Sequence, residues 1–410
     1  MNKKTTCIAI AALAALYCLA ASAGDDGAIV KRGDSASYVC LPADGKAPAN
    51  AQMPALPKGA EEFSIELPRL KNGDALSVAD FGAKTDGSDC TKAFNDALQS
   101  CKANGKSRLV VPKGTYWFTS DKEIALAGLS DFEFDGQGSL FMFRKDAGWL
   151  FSIAHCERVQ LKSFSVDWDW ESDPLGSVVK VESAEPSGAY VDLRFVDYEK
   201  FPKRDLRLNY MEQLDPETMT PGCKNQINVG WFTKMPECGE WLSDNLLRVR
   251  NVGVNPCGDS QKRIASMKPG MLFRLLHYRD NVNSVSIASS SNITISDINI
   301  YACPGGGFFP YGDVHHLQLV NTNIIRPAGS KRPVTTTADG FHVGRSLGYF
   351  KMEGCEFSLI GDDCVNIHDN TAYAKPHAER SLSIRNDYIA SAGDSIELFN
   401  DDYSPTGFSG

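Results

Sequence analysis

Three aspartates offer the most definite chemistry in this sequence. Asp362 and Asp363 stand side by side within the run FSLIGDDCVNI at 357–367, and Asp339 lies 24 residues before Asp363, in ADGFHV. Adjacent carboxylates repel one another and resist burial, so a strand that tolerates them turns them toward water, a cation or a reaction. Crowding raises the pKa of at least one member of such a group and keeps a proton available near neutrality, the requirement for acid-base hydrolysis by paired carboxyls. The same group would suit a calcium ion.

The elements that must bring these aspartates together are read from an internal repeat. ADGFHV at 338–343, DDCVNI at 362–367 and GDSIEL at 393–398 share one order: aspartate, small, apolar, polar, apolar. The first two are offset by 24 residues and the third by 31, one coil and one coil plus a loop insertion. In stacked coils ~4.8 Å apart, Asp339, Asp363 and Asp394 form one ladder and His342, Asn366 and Glu397 a second, with Phe341, Val365 and Ile396 facing inward. GGFFP at 306–310 reads as an uncharged earlier version. Asp394 is read as a structural coil corner. Short apolar–polar alternations at 129–166 and from 282 onward, separated by Gly, Asn and Asp, extend the solenoid in both directions. A sandwich gives no reason for the repeat. The expected fold is therefore all-β, a parallel β-helix.

The rest of the chain is organised around that coil. Residues 1–23 read as a signal peptide, with Lys3 and Lys4 before a short apolar stretch and Ala21-Ser22-Ala23 at the cleavage site, so the protein is expected to be exported, to the periplasm, cell surface or beyond. Residues 24–62 read as a leader or linker, 63–174 as N-terminal coils, 175–272 as an inserted antiparallel β-rich domain, and 273–410 as the coils that carry the aspartates. Loss of Lys3 and Lys4 takes the formal charge from −9 to −11, and no basic run tracks a phosphate backbone, so no nucleic-acid partner is expected; nor is membrane insertion. Of 12 cysteines, ten follow the signal peptide, with no CxxC pair for zinc. No cofactor or metal is expected. Neither the disulfide pattern nor the oligomeric state is legible.

VADFGAKTDG, the helical SDCTKAFNDALQSCKANG and RLVVPKGTYWF, at 78–118, resemble the entry segment of the pectate-lyase-like right-handed β-helix superfamily, in which a helix caps the first coil. An aspartate one coil before GDD resembles the catalytic arrangement of polygalacturonases and of the bacterial α-1,3-galactosidases of glycoside hydrolase family 110. TADGFHVGRSLGYFKMEGCEFSLIGDDCVNIHDN, with the strand-rich insertion, is closer to the galactosidases. The resemblance implies an exo-acting glycosidase that releases terminal α-1,3-linked galactose, with Asp362 as general acid, Asp339 and Asp363 holding and deprotonating the water, and inversion as the outcome. One coil up and one residue along is roughly 6 Å at the backbone, which leaves the stereochemistry undecided by spacing. The histidine-glycine and Arg-Ile-Lys motifs of polygalacturonases are absent. The turn-rich FNDDYSPTGFSG shows no capping element, so a C-terminally truncated chain is expected.

For the sugar, Trp168 and Trp170 offer stacking faces and Asp167 and Asp169 hydroxyl acceptors, at least one Trp of the alternating pair being expected inside. His342 and Glu397 flank the aspartates as further candidates for hydroxyl contacts, and His315 and His316 have weaker claims. The alternatives are a polygalacturonase-like hydrolase, a calcium-dependent lyase with Arg345 as proton abstractor, and a non-catalytic glycan-binding coil.

Overall fold

A computed structural model describes residues 63–409 except 72, 146–147, 235–236, 252–258, 369–371, 379–380, 385–392 and 394, and three short strands before them. Residues 11–64 form a unit of their own, in which Val30–Lys31 pairs antiparallel with Ser37–Tyr38. Everything else belongs to a second unit, built on a right-handed parallel β-helix.

Two parallel sheets make the coil. In the first, Ala75–Ser77, Arg108–Val110, Ser130–Phe143, Glu157–Trp168, Ser291–Ile300, His315–Val320 and Gly348–Glu353 stack in that order. In the second the order is Ile124–Ala127, Gly148–Ala154, Val282–Ala288, Phe308–Tyr311, Phe341–Gly344 and Val365–His368. Alternation along each short strand sends every second side chain inward, and parallel register then stacks like on like. Ile124, Phe151, Val285, Phe308, Phe341 and Val365 form one such row. The first five are buried, whereas Val365, on the last parallel strand, is 42% exposed.

Helix α1 (Thr91–Ala103) buries Phe94, Ala97, Leu98 and Cys101 against the first coils. Phe94 meets Phe118 and Phe141 edge-on, with centroids 4.9 and 5.6 Å away. Eight cysteines between Cys90 and Cys364 are free thiols, and five of them are buried as small apolar side chains.

Between Trp168 and Val282 the chain leaves the coil and builds a seven-stranded antiparallel sheet from strands lying between Gly176 and Leu276. This sheet has its own core around Val179, Leu193, Leu208, Trp231 and Phe273. Its inner strand Leu272–Leu276 pairs with Gly176–Ala184 on one side and Arg207–Gln213 on the other. A separate antiparallel sheet contains Ala372–Ala378, Glu397–Phe399 and Pro405–Ser409, with Thr6–Ala9 between the first two. The third rung expected at GDSIEL is therefore not part of the parallel stack. Among the described residues no helix is long and apolar enough to cross a membrane.

Candidate active site

Strand Phe341–Gly344 lies parallel to Val365–His368 with Phe341 opposite Val365 and His342 opposite Asn366, the 24-residue register of the repeat. Two main-chain bonds fix the approach to it: Gly340 N–H donates to Asp363 C=O at 2.8 Å and Phe341 N–H to Cys364 C=O at 3.0 Å. On the previous coil, Gly361 N–H donates to Thr336 C=O at 2.7 Å. Gly361 is dictated by this contact, since a Cβ there would lie 2.5 Å from the Thr337 carbonyl carbon and oxygen.

This backbone brings oxygens of Asp339, Asp362 and Asp363 within 4.8 Å of one another. Asp339 is buried, and both its oxygens are occupied. Its Oδ1 accepts from the Asp363 amide at 3.2 Å, and its Oδ2 contacts His342 Nδ1 and accepts from Asn366 Nδ2 at 3.3 Å. Asp363 is exposed and accepts from Asn366 Nδ2 at 3.1 Å. Asp362 bonds the guanidinium of Arg279. Its pKa is raised by burial; the Arg279 charge opposes this, and the charges of Asp339, Asp363 and Asp280 add to it. Such a group carries a proton to higher pH than an ordinary aspartate and can deliver it. The three aspartates are also compact enough to share one cation.

The other sugar-contact candidates lie elsewhere or are occupied. Trp168 is fully buried, on the same inward row as Phe164 and Val166, and its indole N–H donates to Asp173 C=O at 3.0 Å. Trp170 is also buried, with the Arg332 guanidinium 4.8 Å above its ring. Asp167 accepts from Arg332 at 2.6 Å and Asp169 from Arg144 at 2.8 Å, so both carboxylates are buried in ion pairs. Arginines from loops, Arg332 and Arg144, cover these carboxylates. His342 is at the site, yet Nδ1 is on Asp339, Nε2 is 3.0 Å from His368 Nε2, and the ring stacks on Phe309. It orients Asp339 more directly than it could meet a hydroxyl. Glu397 pairs with Ser409 in the antiparallel sheet and not with Asn366; Asp394 lies outside the described residues. His315 and His316 sit on the first sheet, where His316 stacks on Tyr349.

Sequence reasoning missed Arg279, Asp280 and His368. Arg279 and Asp280 follow the insertion's last strand, and the Arg279 guanidinium lies 5.8 Å from the Tyr210 ring of that sheet. No local pattern marks residues whose partner is 83 positions away. His368 was signalled only by its place in the repeat, two residues beyond Asn366 on the same strand.

Over 72% of its length the chain is 25% identical to α-1,3-galactosidase B of Bacteroides thetaiotaomicron, and over the same share 26% identical to α-1,3-galactosidase A of Shewanella woodyi. The chain is a relative of bacterial α-1,3-galactosidases. α-1,3-Galactosidase A of Bacteroides fragilis is 22% identical. The chain spans about half the length of these curated relatives: 50% of the first two and 51% of the third. No family model matches it. Among solved structures, a putative glycosyl hydrolase from Parabacteroides merdae aligns at 12% identity and TM-score 0.32, covering 73% of this chain and 97% of that one. An exopolygalacturonase from Thermotoga maritima aligns at 14% and 0.29, covering 68% and 56%.

Proposed function

We propose that this protein is an exported exo-acting glycosidase that removes terminal α-1,3-linked galactose from glycans. The observation that carries the reading is the coil-register cluster of Asp339, Asp362 and Asp363, in a chain related to α-1,3-galactosidases. Asp362, with its raised pKa, protonates the glycosidic oxygen; Asp363, exposed beside buried Asp339, takes the proton of the attacking water.

The nearest oxygens, within 4.8 Å, fall below the ~6.5–9.5 Å of most inverting glycosidases and close to the ~5–5.5 Å of retaining ones. Both oxygens of Asp339 are already hydrogen-bonded, which suits it to holding the water rather than attacking carbon. We therefore read Asp339 as the anchor of the water and Asp363 as the base, with inversion as the outcome the likeness to the galactosidases implies; retention, with exposed Asp363 as nucleophile, is the alternative.

The test is galactose release from a terminal α-1,3-galactoside, followed by NMR of the first-formed anomer. β-Galactose agrees with inversion, and α-galactose replaces it with retention. Cleavage of polygalacturonate with no action on the galactoside refutes the substrate. An unsaturated, chelator-sensitive product identifies a lyase, and glycan binding without turnover a lectin-like coil.

A further inference from the structure

The antiparallel insertion has no assigned task, yet one of its most buried charges is aimed at the aspartate turn. Arg274 sits on the inner strand Leu272–Leu276, and its side chain is 4% exposed. Across the sheet it faces Glu212, whose Oε2 accepts from Nε at 2.6 Å and from Nη2 at 2.5 Å. The rest of the fork leaves the insertion: Nη1 donates to Leu359 C=O at 3.4 Å and Nη2 to Ile360 C=O at 3.1 Å. These two residues immediately precede Gly361, Asp362 and Asp363.

The segment needs holding. Leu359 has φ of 56°, in the left-handed region that a branched side chain disfavours. From the coil side it is tied by Thr335, whose N–H donates to Leu359 C=O at 3.1 Å and whose hydroxyl donates to Ser358 C=O at 2.7 Å. Arg274 supplies the restraint from the other side. A planar guanidinium can bond a carboxylate and two carbonyls at once, which a lysine ammonium on a flexible stem cannot do in fixed geometry.

We propose that the insertion is part of the reaction machinery, with Arg274 as a positioning residue that fixes the 359–360 backbone and thereby the places of Asp362 and Asp363. It rests on the glycosidase reading for its kinetic consequence but not for its structural one. A misplacement near 1 Å costs on the order of 100-fold in rate.

The experiment compares Arg274→Lys with Arg248→Lys in the full chain. Arg248 makes a two-bond carboxylate pair of its own, with Asp192 at 2.7 and 2.9 Å in the same sheet, without touching the aspartate turn. Arg274→Lys should lower kcat roughly 10- to 100-fold with KM changed less than threefold. It should also speed exchange of the Gly361 and Asp363 amides several-fold, whereas Arg248→Lys changes neither. If Arg274→Lys does not fold, the paired-amide variant R274Q/E212Q takes its place. Unchanged kcat and unchanged exchange in the Arg274 variant overturn the proposal, as does an equal loss of kcat in both lysine variants. If the wild-type chain releases no galactose, the glycosidase reading fails, and amide exchange alone still decides the role of Arg274.

Discussion

Adding one methyl group at Gly361 should separate the positions of the aspartates from the stability of the coil. In Gly361→Ala the new Cβ would lie 2.5 Å from the carbonyl carbon and oxygen of Thr337 and 2.7 Å from its Cα, all main-chain atoms of the neighbouring coil. Carbon atoms rest at roughly 3.5–4.0 Å, so the turn must move away by about 1 Å. Overpacking of this kind costs about 1–3 kcal/mol. A 1 Å displacement of the acid and base costs on the order of 100-fold in kcat. Gly136→Ala is the control, because its Cβ would lie 2.5 Å from Phe164 Cβ and 2.8 Å from Ser163 C=O, a comparable clash in the N-terminal coils. Urea denaturation and kcat on an aryl α-galactoside are measured for both. The expected pattern is similar destabilisation in the two variants and a large loss of kcat only in Gly361→Ala. If Gly361→Ala retains kcat within twofold while losing stability, the aspartates tolerate displacement and the close coil contact has no bearing on catalysis.

Three further outcomes follow from the charges. Asp362→Asn should abolish turnover of natural glycans with the fold intact, while substrates with good leaving groups recover part of the rate because they need little protonation; unchanged activity would remove Asp362 from the acid role. Arg279→Gln takes away the charge that lowers the Asp362 pKa, so the acid should stay protonated to higher pH and the alkaline limb of kcat should move upward. A limb that stays in place or moves down would show that Asp362 does not control it. Burial pushes the pKa of His277 down to about 4, below the ~6.5 of an unfolded chain, so the unfolded state binds the extra proton as pH falls. Its contribution is complete above pH ~6.5 and is lost toward pH 4, by up to about 3 kcal/mol, and His277→Gln should flatten the dependence seen in denaturant titrations at pH 7 and pH 4.5.

The parts of this molecule that were legible beforehand are those governed by a constant coil length. Asp339 against Asp363 and Phe341 opposite Val365 follow from a repeat of short strands, since stacking in register turns sequence offset directly into spatial adjacency. The same logic failed one coil later, where Glu397 pairs with Ser409 in an antiparallel sheet. A shared pattern of aspartate, small and apolar residues does not by itself choose between parallel and antiparallel partners. Asp167 and Asp169 failed for another reason: alternation reports which way a side chain leaves the strand, not what covers it, and Arg332 and Arg144 arrive from distant loops. Arg274 and Arg279 were invisible because the insertion reaches the aspartates only through tertiary packing, with no periodic signal to carry the information.

The same insertion governs how the solenoid can assemble in time. Near the aspartates, successive coils join residues 24 apart, whereas the coils flanking the insertion join Cys156 to Ser290, 134 residues apart. Closing the longer loop costs about 1.5 kcal/mol more in chain entropy if the intervening sequence is unstructured. A prefolded insertion shortens that loop to the separation of its own two ends, Gly176 and Leu276, which are direct partners in the sheet. Zipping of the coil should therefore pause at this junction until the antiparallel sheet has formed, making the insertion a kinetic checkpoint between the N-terminal coils and the later coils that carry the aspartates.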